Sequence, residues 1–289
     1  MKYLVALNFK TGFRTSPPSE SDMTEEIISS DTFYGAIVYW AFRIFPEKAT
    51  GIANNLKISS MFFKSSKEYF VPKPLIIDTL DTNEPKKVKK ASYVSLNQLK
   101  NLVGKNEIII DDSAKNLFLK KSDILEKQLI TRNALDRITN ASMLYAIEIV
   151  RVKPDYKPVF LFDISEEYEN EIKAIIKILG DSGLGADNTY GFGIFNPEFL
   201  EVPDVFKKDD GDWYITLGYY LPSQEEYEKL NDGYYRLKKK SGVKKDKMER
   251  KFEINFIEEG STFPFKPMGR GIIKGKDFFV QTSPVYLAI

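Results

Sequence analysis

Apolar and polar positions along the chain repeat with two periods, one suited to strands and one to helices. Tyr3 to Phe9 is a short, β-prone apolar run that predicts an opening strand, and the polar, proline-containing stretch Lys10 to Glu20 predicts a loop. A helix start follows at Ser29, Ser30 and Asp31, residue types that suit the free N–H groups of a first turn. Phe33, Ile37, Trp40 and Ile44 then form one stripe, with Tyr34, Val38, Ala41 and Phe45 beside it, so this helix is expected to be mostly buried.

Lys57 to Lys64 and Val71 to Ile77 read as strands, Asp78 to Lys90 as a loop, and Ser95 to Gly104 as a short helix with Leu96, Leu99 and Leu102 inward. Ala141 to Val152 and Pro158 to Asp163 read as a hairpin around Lys153–Lys157. A second helix carries Tyr168, Ile172, Ile175, Ile176 and Leu179 on one face, glutamates early and lysines late, with Gly180 in the position that ends it. Strands are expected at Phe192 to Val202, Trp213 to Leu221, Phe252 to Glu258 and Phe278 to Val285, and a further helix around Ser223 to Leu230. Each half therefore offers a strand, a long helix and more strands, which predicts an α+β fold of two β-α-β-β-α-β units with antiparallel sheets.

Gly180 to Gly193 holds five glycines in fourteen residues, at the exit of the second helix. A nucleotide-binding loop runs from strand to glycines to helix, which is the reverse order, and no Lys-Ser/Thr pair follows here. The residues leave open a structural loop and a loop that meets a ligand with its backbone. Three other segments carry candidate contacts: Lys10 and Arg14 in the loop after the first strand, Arg132 and Arg137 ahead of the predicted hairpin, and Arg270 between two glycines. Adjacent carboxylates such as Asp111-Asp112, Asp209-Asp210 and Glu258-Glu259 point to opposite faces of a strand and read as solvated charge.

Composition narrows the chemistry. The 289 residues contain no cysteine and no histidine, which excludes disulfides, thiolate nucleophiles, histidine acid–base catalysis and most zinc sites, so neither cofactor nor metal is expected. Charge is balanced, at 42 Lys plus Arg against 41 Asp plus Glu, and the segregated basic run is Arg236 to Lys251. No apolar run approaches the roughly twenty residues of a membrane span, and Met1–Leu7 is too short an apolar segment for a signal peptide, so a soluble, cytoplasmic protein with no membrane contact is expected.

Four blocks, in order across nearly the whole chain, carry a resemblance. Ser29–Ile37, Leu135–Thr139, Gly183–Gly193 and Glu259–Phe263 resemble the matching blocks of the fourth Csm subunit of type III-A CRISPR effector complexes, a member of the RAMP superfamily. The resemblance implies two ferredoxin-like (RRM-like) domains, here 1–140 with an inserted thumb-like hairpin and 141–289 with the glycine-rich loop. It implies a non-catalytic scaffold that caps the crRNA, holds its repeat-derived 5′ tag, and bridges the large polymerase-like subunit to the backbone subunit of the complex. Carried over residue by residue, it implies RNA contacts at Ser29, Ser30 and Asp31, at Arg137 and Thr139 beside Asp136 at the base of the thumb, and at Gly183, Gly185, Asp187, Thr189, Gly191 and Gly193. Asn188 and Phe192 stand where the family usually has cations, so backbone N–H groups and stacking by Tyr190 or Phe192 become the expected contacts. A metal-independent endoribonuclease of the same superfamily, and a protein-interaction module with a purely structural glycine loop, are the competing readings.

Overall fold

The computed structural model describes residues 1–15, 24–97, 99, 107–108, 117–139, 141–241, 253–275 and 278–289. Ser16 to Glu20 of the first loop, Leu102 and Gly104, Asp111-Asp112, and 242–251 of the basic run lie outside these residues.

The opening strand β1 (Lys2–Phe9) leads to helix α1 (Ser30–Ile44), and the Pro46–Asn55 helix follows it directly. Next come β2 (Lys57–Ile58), β3 (Phe62–Lys64), β4 (Tyr69–Pro72), β5 (Tyr93–Ser95), β6 (Phe118–Leu119), and the long pair β7 (Leu125–Leu135) and β8 (Ser142–Val152). Then β9 (Lys157–Asp163), helix α2 (Glu169–Ser182) and β10 (Phe195–Leu200) return the chain to the first strand. The main sheet runs β10-β1-β9-β3-β4-β5-β6, with β2 also on β9, and its neighbours are antiparallel. Its first four strands and two long helices are one ferredoxin-like β-α-β-β-α-β unit.

Alternation along β1 and β9 decides what covers each face. Val5, Leu7, Phe160 and Phe162 face Phe33 and Ile37 of α1 and Ile172, Ile175 and Ile176 of α2, with the Phe33 and Phe160 rings stacked 4.6 Å apart. Leu4, Ala6, Val159 and Leu161 face the other way, onto Phe206, Ile215, Leu217, Val285 and Leu287 of the C-terminal part. Tyr214–Thr216 there pairs with Thr262–Phe263 and Tyr286–Ala288, and ribbons form between Leu237–Lys240 and Ile254–Ile257 and between Ile272–Lys274 and Phe279–Gln281. The fold is α+β with antiparallel sheets.

Four expectations change. The boundary expected at 140 falls at the tip of the β7–β8 hairpin, and strands from both sides of it share the main sheet, so the ferredoxin-like unit closes across it. Ala141–Val152 was expected to pair with Pro158–Asp163, but β8 pairs with β7 from Leu135↔Ser142 to Leu125↔Val152, while β9 joins β1. Hydrophobic alternation marks a strand without naming its partner. Gly180 lies inside α2 rather than ending it, and glycine is needed there since a Cβ would meet the Phe195 carbonyl oxygen at 2.5 Å; Gly183, at φ +82°, ends the helix. The stretch expected as a helix around Ser223 to Leu230 forms turns and the 3-10 segment Glu228–Asp232.

Candidate nucleic-acid interface

The segment after β1 and the glycine loop after α2 are laced together by their backbones. Gly193 N–H donates to the Gly12 oxygen (2.8 Å), Ala186 N–H to the Arg14 oxygen (2.7 Å), and Leu184 N–H to the Gly193 oxygen (2.9 Å). The Thr11 hydroxyl donates to the Gly191 oxygen at 2.8 Å. Glycines permit this approach: a Cβ on Gly185 would lie 2.2 Å from the Arg14 oxygen, and one on Gly193 would lie 2.0 Å from the Leu184 oxygen. Asn188 closes the loop by donating from Nδ2 to the Gly183 oxygen.

The hairpin is clamped to the same place. Phe13 and Val150 exchange both backbone hydrogen bonds (3.0 and 2.9 Å), so the segment after β1 is held between the glycine loop and β8. Phe192 packs beneath, with Ile130, Ile147 and Ile149. Above it, Arg132 of β7 lies over the Tyr190 ring, 4.1 Å from its centroid, and 5.1 Å from that of Phe192. Tyr190 is 61 % exposed. Lys10, Thr11, Arg132, Tyr190 and the open side of Gly191 therefore share one surface, built from three segments far apart in sequence.

Arg14 belongs to the scaffold of this surface. It is 6 % exposed and its Nη1 pairs with the Asp187 carboxylate, while Nε and Nη2 are buried without hydrogen-bond partners. Neutralised and enclosed, it fastens the two loops and is not open to a ligand, unlike exposed Lys10. Phe192, also expected as a stacking surface, is core.

Arg137 and Thr139, expected at the base of the thumb-like hairpin, sit at its exposed tip, because the pairing runs from Leu125↔Val152 out to Leu135↔Ser142. Asp136 organises that turn: its carboxylate accepts from Ile138 N–H (2.8 Å) and the Thr139 hydroxyl (2.7 Å), and these bonds hold its pKa below the usual range. Ile138 is 92 % exposed, and Leu135, Met143 and Leu144 are exposed along the arm.

Ser29, Ser30 and Asp31 are elsewhere. Ser29 and Ser30 are buried at the seam with the C-terminal part: the Ser30 hydroxyl accepts from Tyr219 N–H at 2.9 Å, and Ser30 N–H donates to the Ser60 hydroxyl at 3.0 Å. The Ser60 hydroxyl in turn reaches Glu259. The Ser29 hydroxyl donates to Asp31 and caps no backbone N–H. Thus the first and last of the four blocks are linked inside the protein through Ser60, the glycine block supplies Tyr190 and Gly191 to the surface, and the Leu135–Thr139 block forms the hairpin tip.

Arg270 is also held structurally, donating from Nε to the Pro222 oxygen and from Nη2 to the Tyr227 hydroxyl, both at 2.7 Å. Beside it Glu226, a residue not anticipated from the sequence, is buried and accepts from Ser223, Met268 and Gly269 N–H groups. Burial opposes its charge, but the Ser223 and Met268 N–H groups outweigh burial and hold the carboxyl below its usual range. In the described part of the basic run every cation before Ser241 has a carboxylate: Arg236 meets Asp78, Lys238 and Lys240 meet Glu25, and Lys239 meets Glu253. Among the described residues no group of acidic side chains has the arrangement of a metal site, and no helix is long and apolar enough to cross a membrane.

A family model of the RAMP superfamily matches residues 10–196, a span that begins at the Lys10 segment and ends just past the glycine loop. The chain belongs to the RAMP superfamily. The model of the CRISPR Csm4 C-terminal domain matches residues 209–287. The chain is 27 % identical over 262 residues to the CRISPR system Cms protein Csm4 of Thermococcus onnurineus, with 84 % of each chain covered, and 24 % identical over 274 residues to that of Methanocaldococcus jannaschii, covering 75 % of this chain and 72 % of that one. Its fold is similar to a crystal structure of a Csm3-Csm4 subcomplex of the type III-A CRISPR-Cas interference complex (TM-score 0.67, 20 % identity, 99 % of both chains). It is likewise similar to a Csm1-Csm4 cassette in complex with cA4 (TM-score 0.63, 20 % identity, 100 % of this chain and 98 % of the other).

Proposed function

We propose that this chain is the crRNA-binding subunit of a type III-A effector complex, holding the repeat-derived 5′ tag on the surface around Tyr190 and joining the polymerase-like large subunit to the backbone subunit. The convergence of Lys10, the glycine loop and Arg132 of the hairpin on one exposed aromatic ring carries this reading. Tyr190 offers a flat π face to an unpaired base, Arg132 a cation above it, and Lys10 a flexible charge for phosphate. The relatives support the two protein contacts, since similar chains occur in complexes named as Csm3-Csm4 and Csm1-Csm4. The exposed apolar arm around Ile138 suits a protein neighbour or the stacked end of a duplex better than open solvent.

The test is binding of a short single-stranded RNA of the tag sequence to the purified chain, alone and as the complex with the backbone subunit. Tyr190→Ala and Arg132→Ala each lower affinity by about tenfold, consistent with stacking worth about 1–3 kcal/mol per base. The RNA is recovered intact; its cleavage by the pure chain would favour the endoribonuclease reading instead.

A further inference from the structure

The short helix Pro85–Lys90 gathers four lysines inside a stretch whose sequence reads as a loop. Pro85 suits its first position, where no intrahelical bond is lost. Val88 is buried in one cluster with Ile76, Ile77, Ala91 and Val94, and its carbonyl oxygen accepts from the buried Lys73 ammonium at 2.7 Å. These contacts settle which way the lysines face. At 3.6 residues per turn, Lys86, Lys89 and Lys90 fall within about 100° of one another, opposite Val88, with Lys87 at the flank. The three are exposed and Lys87 is half-buried.

Among the described residues none of the four has a carboxylate within ion-pair distance, whereas every cation from Arg236 to Lys240 has one. Lys86 and Lys90 are four residues apart, and Lys86 and Lys89 three apart, so their ammonium groups repel across the turn. The helix dipole favours lysines in the last turn, but Lys86 sits in the first, where the dipole opposes it. The neighbouring turn Leu75–Thr79 adds charge of the same sign: Asp78 is shared by Lys73 and Arg236, one carboxylate for two cations, and the Arg236 side chain is 62 % exposed. A polyanion relieves this repulsion. Lysine is depleted at protein–protein interfaces, and this helix exposes no aromatic or large apolar residue to anchor one. The phosphates of a nucleic acid need only surface cations.

We propose that Lys86, Lys87, Lys89 and Lys90 grip the phosphate backbone of RNA without reading its bases, at a surface separate from the one around Tyr190. The proposal rests on the reading of the chain as an RNA-binding subunit. The helix runs into β5, four steps from β1 across the main sheet, which puts about 19 Å of sheet between the two surfaces at the usual strand spacing. An RNA held at Tyr190 reaches the lysines with its continuation beyond the held bases.

Binding of a labelled long oligouridine to the intact chain, followed from roughly 50 to 300 mM salt, tests the proposal. Lys86→Gln, Lys87→Gln, Lys89→Gln and Lys90→Gln together should weaken binding about tenfold or more at roughly 100 mM salt. They should also make the slope of log K against log salt shallower by about 2–3, at about 0.7 per lost phosphate contact. Arginine at the same four positions keeps the affinity within about threefold, since charge alone is used. The melting point of the glutamine variant does not fall, because like charges are removed and no ion pair is broken. Tyr190→Ala weakens binding and keeps the slope. An unchanged slope in the glutamine variant, with Tyr190→Ala still weakening binding, overturns the lysine grip and leaves the Tyr190 surface standing. A shallower slope in the glutamine variant with no effect of Tyr190→Ala supports the grip and overturns the Tyr190 reading. A natural chain that binds no RNA in this range overturns both. A glutamine variant that binds RNA normally but no longer co-purifies with the backbone subunit overturns the grip and assigns the lysines to a protein contact.

Discussion

Replacing Gly193 by alanine should be far more damaging than replacing Gly191, although both glycines have positive φ (+72° and +85°). An alanine held in the left-handed region costs about 1–2 kcal/mol. Part of that, about 0.4–1 kcal/mol, is offset by the lower entropy of the unfolded chain. At Gly191 nothing lies within 4 Å of an added Cβ, so the net loss should be about 1 kcal/mol. At Gly193 the Cβ falls 2.0 Å from the Leu184 oxygen and 2.8 Å from the Leu184 nitrogen, both backbone atoms. The loop must open, and the bonds Leu184 N–H to Gly193 oxygen (2.9 Å) and Gly193 N–H to Gly12 oxygen (2.8 Å) are lost or stretched. Each buried group left unsatisfied costs about 1–3 kcal/mol, bringing the total to roughly 3–5 kcal/mol. Thermal unfolding reads the difference: a drop of roughly 2–4 °C for Gly191→Ala against about 10 °C for Gly193→Ala, at about 2–4 °C per kcal/mol for a chain of this size. Equal shifts for the two variants would refute the claim that the loop's glycines serve backbone contact with the segment after β1.

Other perturbations separate scaffold from contact. Asp187→Ala strands the buried Arg14 cation and should destabilise by about 3 kcal/mol, and adding Arg14→Met should recover much of the loss in a denaturant titration; no recovery would mean that the pair is not the fastening. Glu226 has a folded-state pKa below its unfolded value, so its stabilisation is present above about pH 4.3 and fades as pH falls through the lower folded value. The stability gap between the natural chain and Glu226→Gln should therefore narrow on acidification from pH 6 to about 3, and a constant gap would contradict the assignment. Arg137→Ala at the hairpin tip should weaken RNA binding by about 1–3 kcal/mol without moving the melting point, as an exposed charge-assisted contact would.

The two long helices were legible in the sequence, and long-range pairing was not. Helix α1 starts at Ser30 and buries Phe33, Tyr34, Ile37, Val38 and Ala41, as its 3.6-residue stripe requires, and α2 buries Ile172, Ile175, Ile176 and Leu179 likewise. These are properties of a single helix. The partner of β8 is a property of two distant segments, and β7, with polar residues such as Lys127, Gln128 and Asn133, gives little alternation to reveal it as a strand. The same limit hid the fate of single charges. Arg14 looks like a surface cation until Asp187, far along the chain, is brought beside it, and the basic residues from Arg236 to Lys240 look like a free patch until Asp78, Glu25 and Glu253 meet them. Tyr190 was named as a stacking candidate through the resemblance of the glycine block, but Arg132 over its ring was not legible, since only the hairpin register brings the two together. Glu226 gave no sequence signal: a lone glutamate in a polar stretch does not announce three backbone donors.

The most direct test of the central claim is to co-express the chain with the backbone subunit of a type III-A complex and a repeat-spacer transcript, isolate what co-purifies, and sequence the 5′ ends of the bound RNA. The account predicts a stable complex whose RNA begins uniformly within the repeat, and loss of that uniform end with Tyr190→Ala together with Arg132→Ala. RNA with random 5′ ends, or a chain that purifies without either partner, would contradict it.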